Sequence, residues 1–477
     1  MIPQSNATNG TARIRKFTDD QVTRLHQASL EILERTGVLL YSQDALNLVQ
    51  KAGVKISDGN RARIPSNLVE WALSMAPKQV NLFDRHGKQV MQLAGYKTYY
   101  GPGSDCPNVI DHRTGERRPG LLHDIEEAMR VCDALPNIDF LMSFCIANDI
   151  DQQVYDRYQM CAMLMNSIKP ILFVTLEFSG TRDAVAMAEA VAGGADELRR
   201  KPIAALYINV TAPLRHNEEA LQKLLFMAER GLPTTYTPVV LRGASGPITV
   251  AGAIALANAG ELAGLVIAQL KREGAPIILT GGVNDMLEMR SMLDIYGAPE
   301  NRVALLELAH YYNMPIFGLT GCSDSKLPDE QAAAEAAFSL ILETQGGAQM
   351  AHDVGYLEGG MSNSVEQIVI CDELINYVKR FMTPLEVNDE TLALDVIDQV
   401  GPQGDFLGTE HTLSHYKQDW YPKLFDRRNH DHWVADGGKS LRQRAKERVD
   451  ALLASHQPEL LPRDVQRRLD EIVASAT

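Results

Sequence analysis

The feature that most constrains the fold of this chain is a series of eight short, strand-like apolar runs that alternate with helical patterns. A proline stands just before or at the start of five of them, a position that strands tolerate. Eight such units in series predict a (β/α)8 barrel, and the alternative is an open, doubly wound sheet. The runs lie at 97–101, 140–147, 170–177, 203–210, 234–241, 276–280, 315–319 and 348–354.

The predicted barrel occupies residues 95–365 of the 477-residue chain and has additions at both ends. Residues 1–16 are expected to be disordered. Residues 17–94 predict a cap of helices and a small sheet, which includes a hairpin at 80–92. Residues 366–477 predict a helical extension that packs on the barrel. Within the barrel, apolar spacing predicts helices at 286–295 and 301–311 between the sixth and seventh strands.

The region 314–358 is the densest in polar groups that follow predicted strands. The strand at 315–319 ends in the polar loop Cys322-Ser323-Asp324-Ser325-Lys326, and a helix then begins after Pro328 and Asp329. The next strand delivers His352, Asp353, Tyr356 and Glu358. In parallel α/β folds the chemistry lies at the ends of the strands, so this region is the first candidate for a site.

Composition limits the classes of function. The net charge of −15 argues against nucleic acid as the main partner, because the chain has no surplus of basic residues to neutralise phosphates. Six cysteines without a C-x-x-C pair indicate reduced thiols and a cytoplasmic protein. The N-terminus has no apolar signal region, and we expect no membrane span because no run of about 18 apolar residues is evident.

Most of the polar groups at strand ends also have ordinary structural interpretations. Asn148 and Asn209 are as well explained as helix caps, and Gly281-Gly282 as a tight turn. His411 and His415 have the spacing of metal ligands on a helix, but no acidic third ligand follows in register. No nucleotide-binding glycine pattern is present. About half of the strand tyrosines are expected in the core, and the others could wall a pocket for a cation.

Six segments together resemble the trimethylamine methyltransferase superfamily, whose members are corrinoid-dependent methylamine and betaine methyltransferases. The resemblance runs from about residue 17 to 475. Since this sequence has only standard residues, it is similar to the branch that lacks pyrrolysine. The segment YYGPGSDCPNVID most resembles the glycine betaine type. The segments are LHQASLEILERTGV, YYGPGSDCPNVID, PITVAGAIALANAGELAGLVIAQL, GLTGCSDSKLPDEQAAAEA, HDVGYLEGG and GPQGDFLGTEHTLSHYKQDWYPKLFDR.

The resemblance implies a (β/α)8 barrel that moves a methyl group from a quaternary amine, glycine betaine first, to the Co(I) of a corrinoid. A separate small corrinoid protein would carry this cofactor and dock at the barrel mouth, and the chain itself would bind no metal tightly. The leaving group is a neutral tertiary amine, so no general acid is required. The protein would supply position and electrostatics, and family barrels of this kind are expected to self-associate.

Strand-end placement and membership of these motifs give the candidate site residues. We expect one group near the cobalt and another around the substrate. The first is Asp105, Ser323, Asp324 and Lys326, and the second is Tyr99, Tyr100, Asn209, Tyr236, His352, Tyr356 and Glu358.

Three other functions remain open at the level of sequence. The same reaction could act on carnitine, proline betaine, γ-butyrobetaine or trimethylamine. A barrel that binds betaine without turning it over would be a sensor or storage protein. A metal-dependent hydrolase would need zinc at His411 and His415.

Overall fold

The centre of the fold is a seven-stranded parallel sheet, curled into a half-barrel. The computed structural model describes residues 12–280, 283–297 and 302–476. The sheet has the strand order β6-β18-β17-β14-β12-β10-β9, and every pairing within it is parallel. Seven of the eight predicted runs therefore form strands of one sheet. This arrangement is consistent with a TIM-like fold, in which strand ends gather at one edge.

Four smaller sheets accompany the central sheet, with the orders β11-β1-β3-β2, β13-β15-β16, β19-β20-β7-β8 and β4-β5. The strands are β1 (Val38–Leu40), β2 (Lys55–Ser57), β3 (Arg61–Arg63), β4 (Val80–Phe83), β5 (Gln89–Leu93), β6 (Tyr99–Pro102), β7 (Asn108–Ile110), β8 (Arg117–Pro119), β9 (Ile171–Phe173), β10 (Ala204–Val210), β11 (Arg215–His216), β12 (Thr234–Pro238), β13 (Val240–Arg242), β14 (Ile277–Thr280), β15 (Val283–Glu288), β16 (Leu293–Asp294), β17 (Ile316–Leu319), β18 (Met350–Val354), β19 (Tyr356–Leu357) and β20 (Ser362–Asn363).

Helices follow most strands of the central sheet and form the layer outside it. A π-helical turn, Ile32–Thr36, continues the first helix, and a short 3-10 turn, Glu358–Gly360, follows β19. The α-helices are α1 (Asp19–Glu31), α2 (Gln43–Lys51), α3 (Ser66–Met75), α4 (Leu122–Ala134), α5 (Tyr155–Met165), α6 (Phe178–Ala192), α7 (Ala195–Arg200), α8 (Glu218–Arg230), α9 (Val250–Lys271), α10 (Val303–Tyr311), α11 (Glu330–Gly346), α12 (Val365–Met382), α13 (Asp389–Leu392), α14 (Leu394–Val400), α15 (Glu410–His415), α16 (His430–Ala435), α17 (Leu441–Ser455) and α18 (Arg463–Ala476).

The predicted second strand, 140–147, is not a regular strand. Its backbone nevertheless bonds to both edges of the central sheet. Asp139 donates its N–H to the carbonyl of Tyr100 at 2.6 Å, and Leu141 donates to the carbonyl of Pro170 at 2.9 Å. Phe144 interrupts the run because its φ of +65° lies in the left-handed region, which extended chains do not adopt.

The helix predicted at 286–295 is wrong. Residues 283–294 form the antiparallel hairpin β15–β16, which pairs through β15 with β13 beyond the ends of the barrel strands. Its turn is held by the Glu288 carboxylate, which accepts the N–H groups of Arg290 and Ser291 at 2.8 and 2.7 Å. Met292 has a φ of +58° at this turn. The predicted glycine turn at 281–282 lies outside the described residues.

The N-terminal part of the chain packs at the end of the half-barrel sheet where the strands begin. The predicted hairpin is present as β4–β5, and its buried Leu82 and Met91 share one apolar cluster with Tyr99 and Phe317. Residues 12–16, expected to be disordered with the residues before them, lie against the body. Ile14 donates its N–H to the carbonyl of Gln345 at 3.3 Å.

One helix in the described part of the chain is long and apolar enough to cross a membrane. This is α9, with a mean hydropathy of 1.7 in its most apolar window. Asn258 and Glu261 interrupt its apolar sequence, so it does not contain the unbroken run of about 18 apolar residues on which the expectation was based. The helix packs against α1, α3 and α8, and 78% of that window is buried inside the protein, as in a core helix.

We predict that Gly101→Ala destabilises the protein. A Cβ atom at this position of β6 would lie 2.4 Å from the Phe140 ring, in a buried layer that has no room to adjust. Overpacking of this kind costs about 1–3 kcal/mol of unfolding free energy. The change is measured by urea unfolding of the variant and the wild type.

The matched control is Gly408→Ala, because a Cβ atom there would meet nothing within 4 Å. We expect this variant to unfold like the wild type. Equal stability of the two variants would mean that Phe140 does not pack against β6.

Candidate functional site

The site is organised by a β-bulge at the end of β18. Ala351 pairs with Tyr100 and Val354 with Pro102, so His352 and Asp353 together stand opposite Gly101 alone. Asp353 takes the extra position with a φ of +75°. A bulge re-aims side chains, and here it brings two neighbouring residues to the same side of the strand. His352 Nε2 accordingly lies 3.2 Å from an Asp353 carboxyl oxygen.

Both members of this pair are buried and favour their neutral forms. Desolvation raises the pKa of Asp353 to about 8, although the nearby Arg302 charge opposes the shift. Desolvation lowers the pKa of His352 to about 3. His352 Nδ1 lies 2.7 Å from the carbonyl of Gly318, so Nδ1 carries the proton and Nε2 presents a lone pair. A protonated Asp353 carboxyl is the form that can donate toward that lone pair.

Aromatic rings surround the bulge. The Phe317 ring stacks on His352 with centroids 4.1 Å apart, and the Tyr207 ring lies 5.4 Å from Phe317 and 6.1 Å from His352. On the other side, the rings of Tyr296 and Tyr356 are 6.3 Å apart. Burial raises the pKa of all three tyrosines above the usual value for a phenol, and the Asp353 charge raises each of them further. The walls are therefore uncharged at neutral pH.

A second carboxyl group, the half-buried Asp105, lies within electrostatic range of Tyr207 and Tyr356. Desolvation raises its pKa, while hydrogen bonds from Ser143 at 2.8 Å and Gln159 at 3.0 Å oppose the shift. The charges of Asp105 and Asp353 both raise the pKa values of Tyr207 and Tyr356. Two phenol rings thus lie within electrostatic range of two carboxyl groups.

A close contact with the loop after β6 fixes Tyr356. Its hydroxyl accepts the N–H of Ser104 at 2.8 Å and donates to the carbonyl of the same residue. A Cβ atom at Gly103 would lie 1.9 Å from the Tyr356 ring, so only glycine permits this approach. The YYGPG motif therefore positions an aromatic wall that comes from a distant part of the chain.

The remaining wall is the connection after the β15–β16 hairpin. Asp324 accepts the backbone N–H groups of Tyr296 and Gly297 at 2.8 and 2.9 Å and so holds this connection. Arg302 is 1% exposed, donates to the carbonyl of Tyr296 at 2.8 Å and to Cys322 Sγ at 3.3 Å, and places its guanidinium over the Tyr296 ring. A buried positive charge thus lies within electrostatic range of Asp353.

The structure brings some sequence-predicted residues together around the bulge and places others at its rim. His352, Tyr356 and Asp105 line the site, and Asp324 supports it from behind. Ser323 is buried and donates to Glu335 at 2.6 Å, whereas Lys326 is exposed and bonds to the carbonyl of Asp324.

Two further predicted residues lie at the outer edge. Glu358 pairs with Arg117 at 2.7 Å and accepts from Ser362 at 2.7 Å. Asn209 is exposed at the end of β10 and lines an open cavity of about 460 Å³ together with Ser245 and Asp294.

Three predicted site residues, Tyr99, Tyr100 and Tyr236, lie away from the bulge. The hydroxyl of Tyr100 meets Thr344 of α11 at 2.7 Å, and that of Tyr236 meets His216 at 2.6 Å, both in the layer outside the sheet. Tyr99 faces inward, but its hydroxyl accepts the N–H of Gln92 in the cap at the opposite end of the strands. We therefore leave these three residues out of the proposed site.

Sequence reasoning missed four residues that surround the bulge: Asp353, Tyr207, Tyr296 and Arg302. Asp353 directly follows the candidate His352, and Tyr207 lies in the predicted strand 203–210, but neither is among the candidate site residues. Tyr296 lies directly after the segment interpreted as a helix, and that interpretation removed it from the strand ends. The pattern Asp-Ile-Tyr-Gly at 294–297, which is typical of a loop, was the available signal.

No metal cluster is built into the part of the chain that the structure describes. Within residues 12–280, 283–297 and 302–476, no group of three or more His, Cys, Asp or Glu side chains is arranged to hold an ion. The His411 and His415 rings stack on each other with centroids 4.3 Å apart, and His415 Nδ1 lies 2.9 Å from the carbonyl of His411.

Comparison with known proteins gives one consistent result along the whole chain. The family described as Trimethylamine methyltransferase (MTTB) matches residues 2–477. The chain is 31% identical over 461 residues to trimethylamine methyltransferase MttB of Desulfitobacterium hafniense (strain DSM 10664 / DCB-2), which covers 96% of this chain and 93% of the relative. It is 29% identical over 464 residues to glycine betaine methyltransferase of D. hafniense (strain Y51), with 96% of each covered. It is 29% identical over 480 residues to trimethylamine methyltransferase MttB of Methanosarcina barkeri, covering 99% of this chain and 97% of the relative.

Asp353 makes the stability of the protein depend on pH. Its folded pKa, about 8, lies above its usual value of 3.8, so between these pH values the folded state retains a proton that the unfolded state loses. The contribution of Asp353 to stability should therefore fall as pH rises through this window, and Asp353→Asn should remove from the wild-type curve a slope equivalent to about one proton. Urea unfolding at several pH values between about 5 and 8 measures the slope.

The control for this experiment is Asp419→Asn, whose side chain is exposed. It should keep the wild-type slope. Parallel curves for the wild type and Asp353→Asn would contradict the buried, protonated state of Asp353.

Proposed function

Because the chain belongs to the trimethylamine methyltransferase family, we propose that it moves a methyl group from a quaternary amine, with glycine betaine as the first choice, to a corrinoid protein. The family match confirms the resemblance found in the sequence and the expectation of a methyltransferase. In the proposed reaction the methyl group passes to Co(I), which becomes methyl-Co(III). The electron pair of the broken C–N bond stays on nitrogen, so dimethylglycine leaves as a neutral amine.

The observation that carries this proposal is the buried Asp353 carboxyl among aromatic rings. A quaternary ammonium ion has no proton to donate and is bound through ring faces and nearby negative charge. Tyr207, Tyr296 and Tyr356 supply the faces, and Asp353 supplies a charge that forms when a cation arrives. Arrival of a cation favours the ionised carboxylate and lowers its pKa.

Arg302 favours a zwitterion over a simple amine. Its buried guanidinium stands on the same wall as Asp353. Glycine betaine carries a cation and a carboxylate a few atoms apart, and such a molecule would meet both charges. Trimethylamine carries no carboxylate to match Arg302. The names of the relatives, which include both substrates, do not separate these two choices.

The reaction class matches the neutral character of the site. Since the leaving amine takes no proton, no residue has to act as a general acid. The work left to the protein is to hold the C–N bond in line with the acceptor and to exclude water. Aromatic rings and the Asp353 carboxyl group, which are uncharged before the substrate binds, suit this task.

We further infer that the segment around 139–146 closes the sheet into an eight-stranded barrel. The support is its hydrogen bonding to both edge strands, β6 through Tyr100 and Gly103 and the start of β9 through Pro170 and Leu172. Closure would give the site a continuous wall. The free state of all six cysteines supports a cytoplasmic location.

The corrinoid protein would dock on the β15–β16 hairpin, which stands beyond the strand ends. Three apolar side chains at its tip are more than half exposed: Met289, Met292 and Leu293. The open cavity beside Asn209 and Asp294 lies against the same hairpin and offers the substrate a way in. Methionine side chains adapt to partners of irregular shape, which suits a carrier that must bind and leave.

An absorbance assay tests the proposed function. The purified protein is mixed with reduced corrinoid protein, and glycine betaine and other N-methyl amines are added one at a time. We expect glycine betaine to convert the Co(I) spectrum to methyl-Co(III) with release of dimethylglycine. We expect Asp353→Asn to lower kcat/KM by roughly 100-fold, the cost of removing one partner from a buried charge pair.

The alternatives give different results in the same assay. Conversion with carnitine, proline betaine, γ-butyrobetaine or trimethylamine alone would keep the reaction and replace the substrate. Affinity for betaine with no methyl transfer to any corrinoid would indicate a binding protein. Full activity of Asp353→Asn, beside an unchanged Asp419→Asn control, would remove Asp353 from the site.

Met292→Glu tests the docking surface. We expect it to slow methyl transfer to the corrinoid protein about tenfold, because it places a charge in an apolar contact. Transfer to free cob(I)alamin should be unchanged, since the substrate site lies below the hairpin. Leu460→Glu, an equally exposed change in the C-terminal extension, is the control. An equal loss with both acceptors would indicate that the hairpin serves the site and not docking.

A further inference from the structure

The loop that follows β17 lies between two of the tyrosines that surround the bulge. On one side, Ser323 donates its N–H to the carbonyl of Tyr356 at 3.0 Å. On the other side, the Asp324 carboxylate accepts the N–H groups of Tyr296 and Gly297, one on each oxygen. The loop therefore joins the main chain of one tyrosine to that of the other.

The side of the loop that faces Tyr356 is held by two further bonds between backbone groups. Glu358 donates its N–H to the carbonyl of Ser325 at 2.8 Å, and Gly359 donates to the carbonyl of Ser323 at 3.2 Å. Both serines are buried. A change of one side chain would leave these backbone bonds in place, so this side of the loop is the fixed one.

The connection 295–297, which carries Tyr296, is held by side chains. Arg302 donates to the Tyr296 carbonyl at 2.8 Å, and Cys322 Sγ lies 3.6 Å from the same oxygen. Asp324 makes the two bonds in which the acceptor is charged, and such bonds are about twice as strong as neutral ones. The position of Tyr296 therefore depends on the side chain of Asp324.

Glu335 of α11 fixes the loop at Asp324. One oxygen of its carboxylate accepts the Ser323 hydroxyl at 2.6 Å and the Asp324 N–H at 2.9 Å, and the other accepts from Gln331 at 2.9 Å. Gly297 packs directly on this carboxylate, since a Cβ atom there would lie 2.7 Å from Glu335 Cδ. The connection thus approaches α11 as closely as a residue without a side chain allows.

The two rings held in this way form adjoining walls. The centroids of Tyr296 and Tyr356 are 6.3 Å apart, and their planes meet at 52°. Rings at this distance and inclination can both lie within about 6 Å of one cation, which is the range of the attraction between a cation and a ring face. If the connection 295–297 moved away from α11, a cation held by Tyr356 would lose the second ring.

We propose that Asp324 is a positioning residue, whose carboxylate sets the separation of the Tyr296 and Tyr356 rings and thereby the size of the cation that the site accepts. Both of its oxygens already accept backbone N–H groups. It therefore acts on the ligand through Tyr296 and not by contact. This inference rests on the proposed function, because it takes a quaternary amine as the ligand.

Isothermal titration calorimetry with tetramethylammonium chloride tests this proposal without a corrinoid. Asp324→Ala removes both acceptors of the Tyr296 and Gly297 N–H groups, so the connection should move away from the loop. We expect tetramethylammonium to bind about tenfold more weakly, which corresponds to the loss of one ring face. The preference for glycine betaine over dimethylglycine, which has one methyl group fewer, should fall as well.

Gly297→Ala makes the same displacement without a change of charge. The added methyl group would meet the Glu335 carboxylate, which is held by three hydrogen bonds, and would push the connection outward. We expect tetramethylammonium to bind more weakly here too. This variant separates the placement of the Tyr296 ring from the loss of the negative charge of Asp324.

The matched control is Asp84→Ala in the β4–β5 hairpin, at the end of the half-barrel sheet where the strands begin. The Asp84 carboxylate also accepts two backbone N–H groups, those of His86 and Lys88, at 3.0 and 2.9 Å. We expect this variant to lose stability, as Asp324→Ala does, but to bind tetramethylammonium like the wild type. Circular dichroism and thermal unfolding check that all three variants fold.

Three results would overturn the proposal. The first is a wild type that does not bind tetramethylammonium. The second is Gly297→Ala with the affinity of the wild type, which would assign any effect of Asp324→Ala to charge. The third is an equal loss of affinity in Asp84→Ala. Failure of the proposed function is a different result: the wild type would bind tetramethylammonium but transfer no methyl group to any corrinoid.

Discussion

The candidate site depends on the irregular register between β18 and β6. The bulge turns Asp353 to the same side as His352, and no regular strand can place two neighbouring side chains on one face. The residue of β6 that stands opposite the bulge is Gly101, and the Phe140 ring occupies the place that a Cβ atom would take there. The register shift thus places a buried acid beside aromatic rings.

Burial then determines the chemistry available at this position. A carboxyl group without solvent holds its proton, and the neighbouring phenols and imidazole are also neutral at physiological pH. Such a site is poorly suited to sequential proton transfer, which needs groups poised near the working pH in both forms. It is well suited to binding a cation. The positive charge of the ligand favours ionisation of Asp353, and the resulting carboxylate then balances that charge.

Seven strands of the central sheet, the cap hairpin and most helices were predictable, because each is encoded by local apolar patterns and caps. The tyrosines show the limit of what local sequence patterns predict. Tyr99 and Tyr100 are neighbours on one strand, so one must face in and the other out. In a parallel sheet covered on both sides, both faces are apolar, and the sequence does not say which is which. Tyr100 and Tyr236 therefore looked equivalent to Tyr207, although they bond into the outer layer.

The missed parts of the site have a common cause. The bulge depends on the register between β6 and β18, which are about 250 residues apart, and local patterns do not contain register. The hairpin at 283–294 was taken for a helix because its leucines and methionines have helical spacing. Its strands are stabilised by pairing with β13 and by a turn at Glu288. Neither contact can be read from the local sequence pattern.

The proposed function sets a limit on the surface beyond the strand ends. A methyl carrier would have to reach this end of the half-barrel, deliver or collect its group and leave, so its contact surface should be small. The tip of the β15–β16 hairpin fits that need with three exposed apolar side chains. Parallel strands place the chemistry at one end only, so the proposed substrate site and the proposed docking surface lie at the same end.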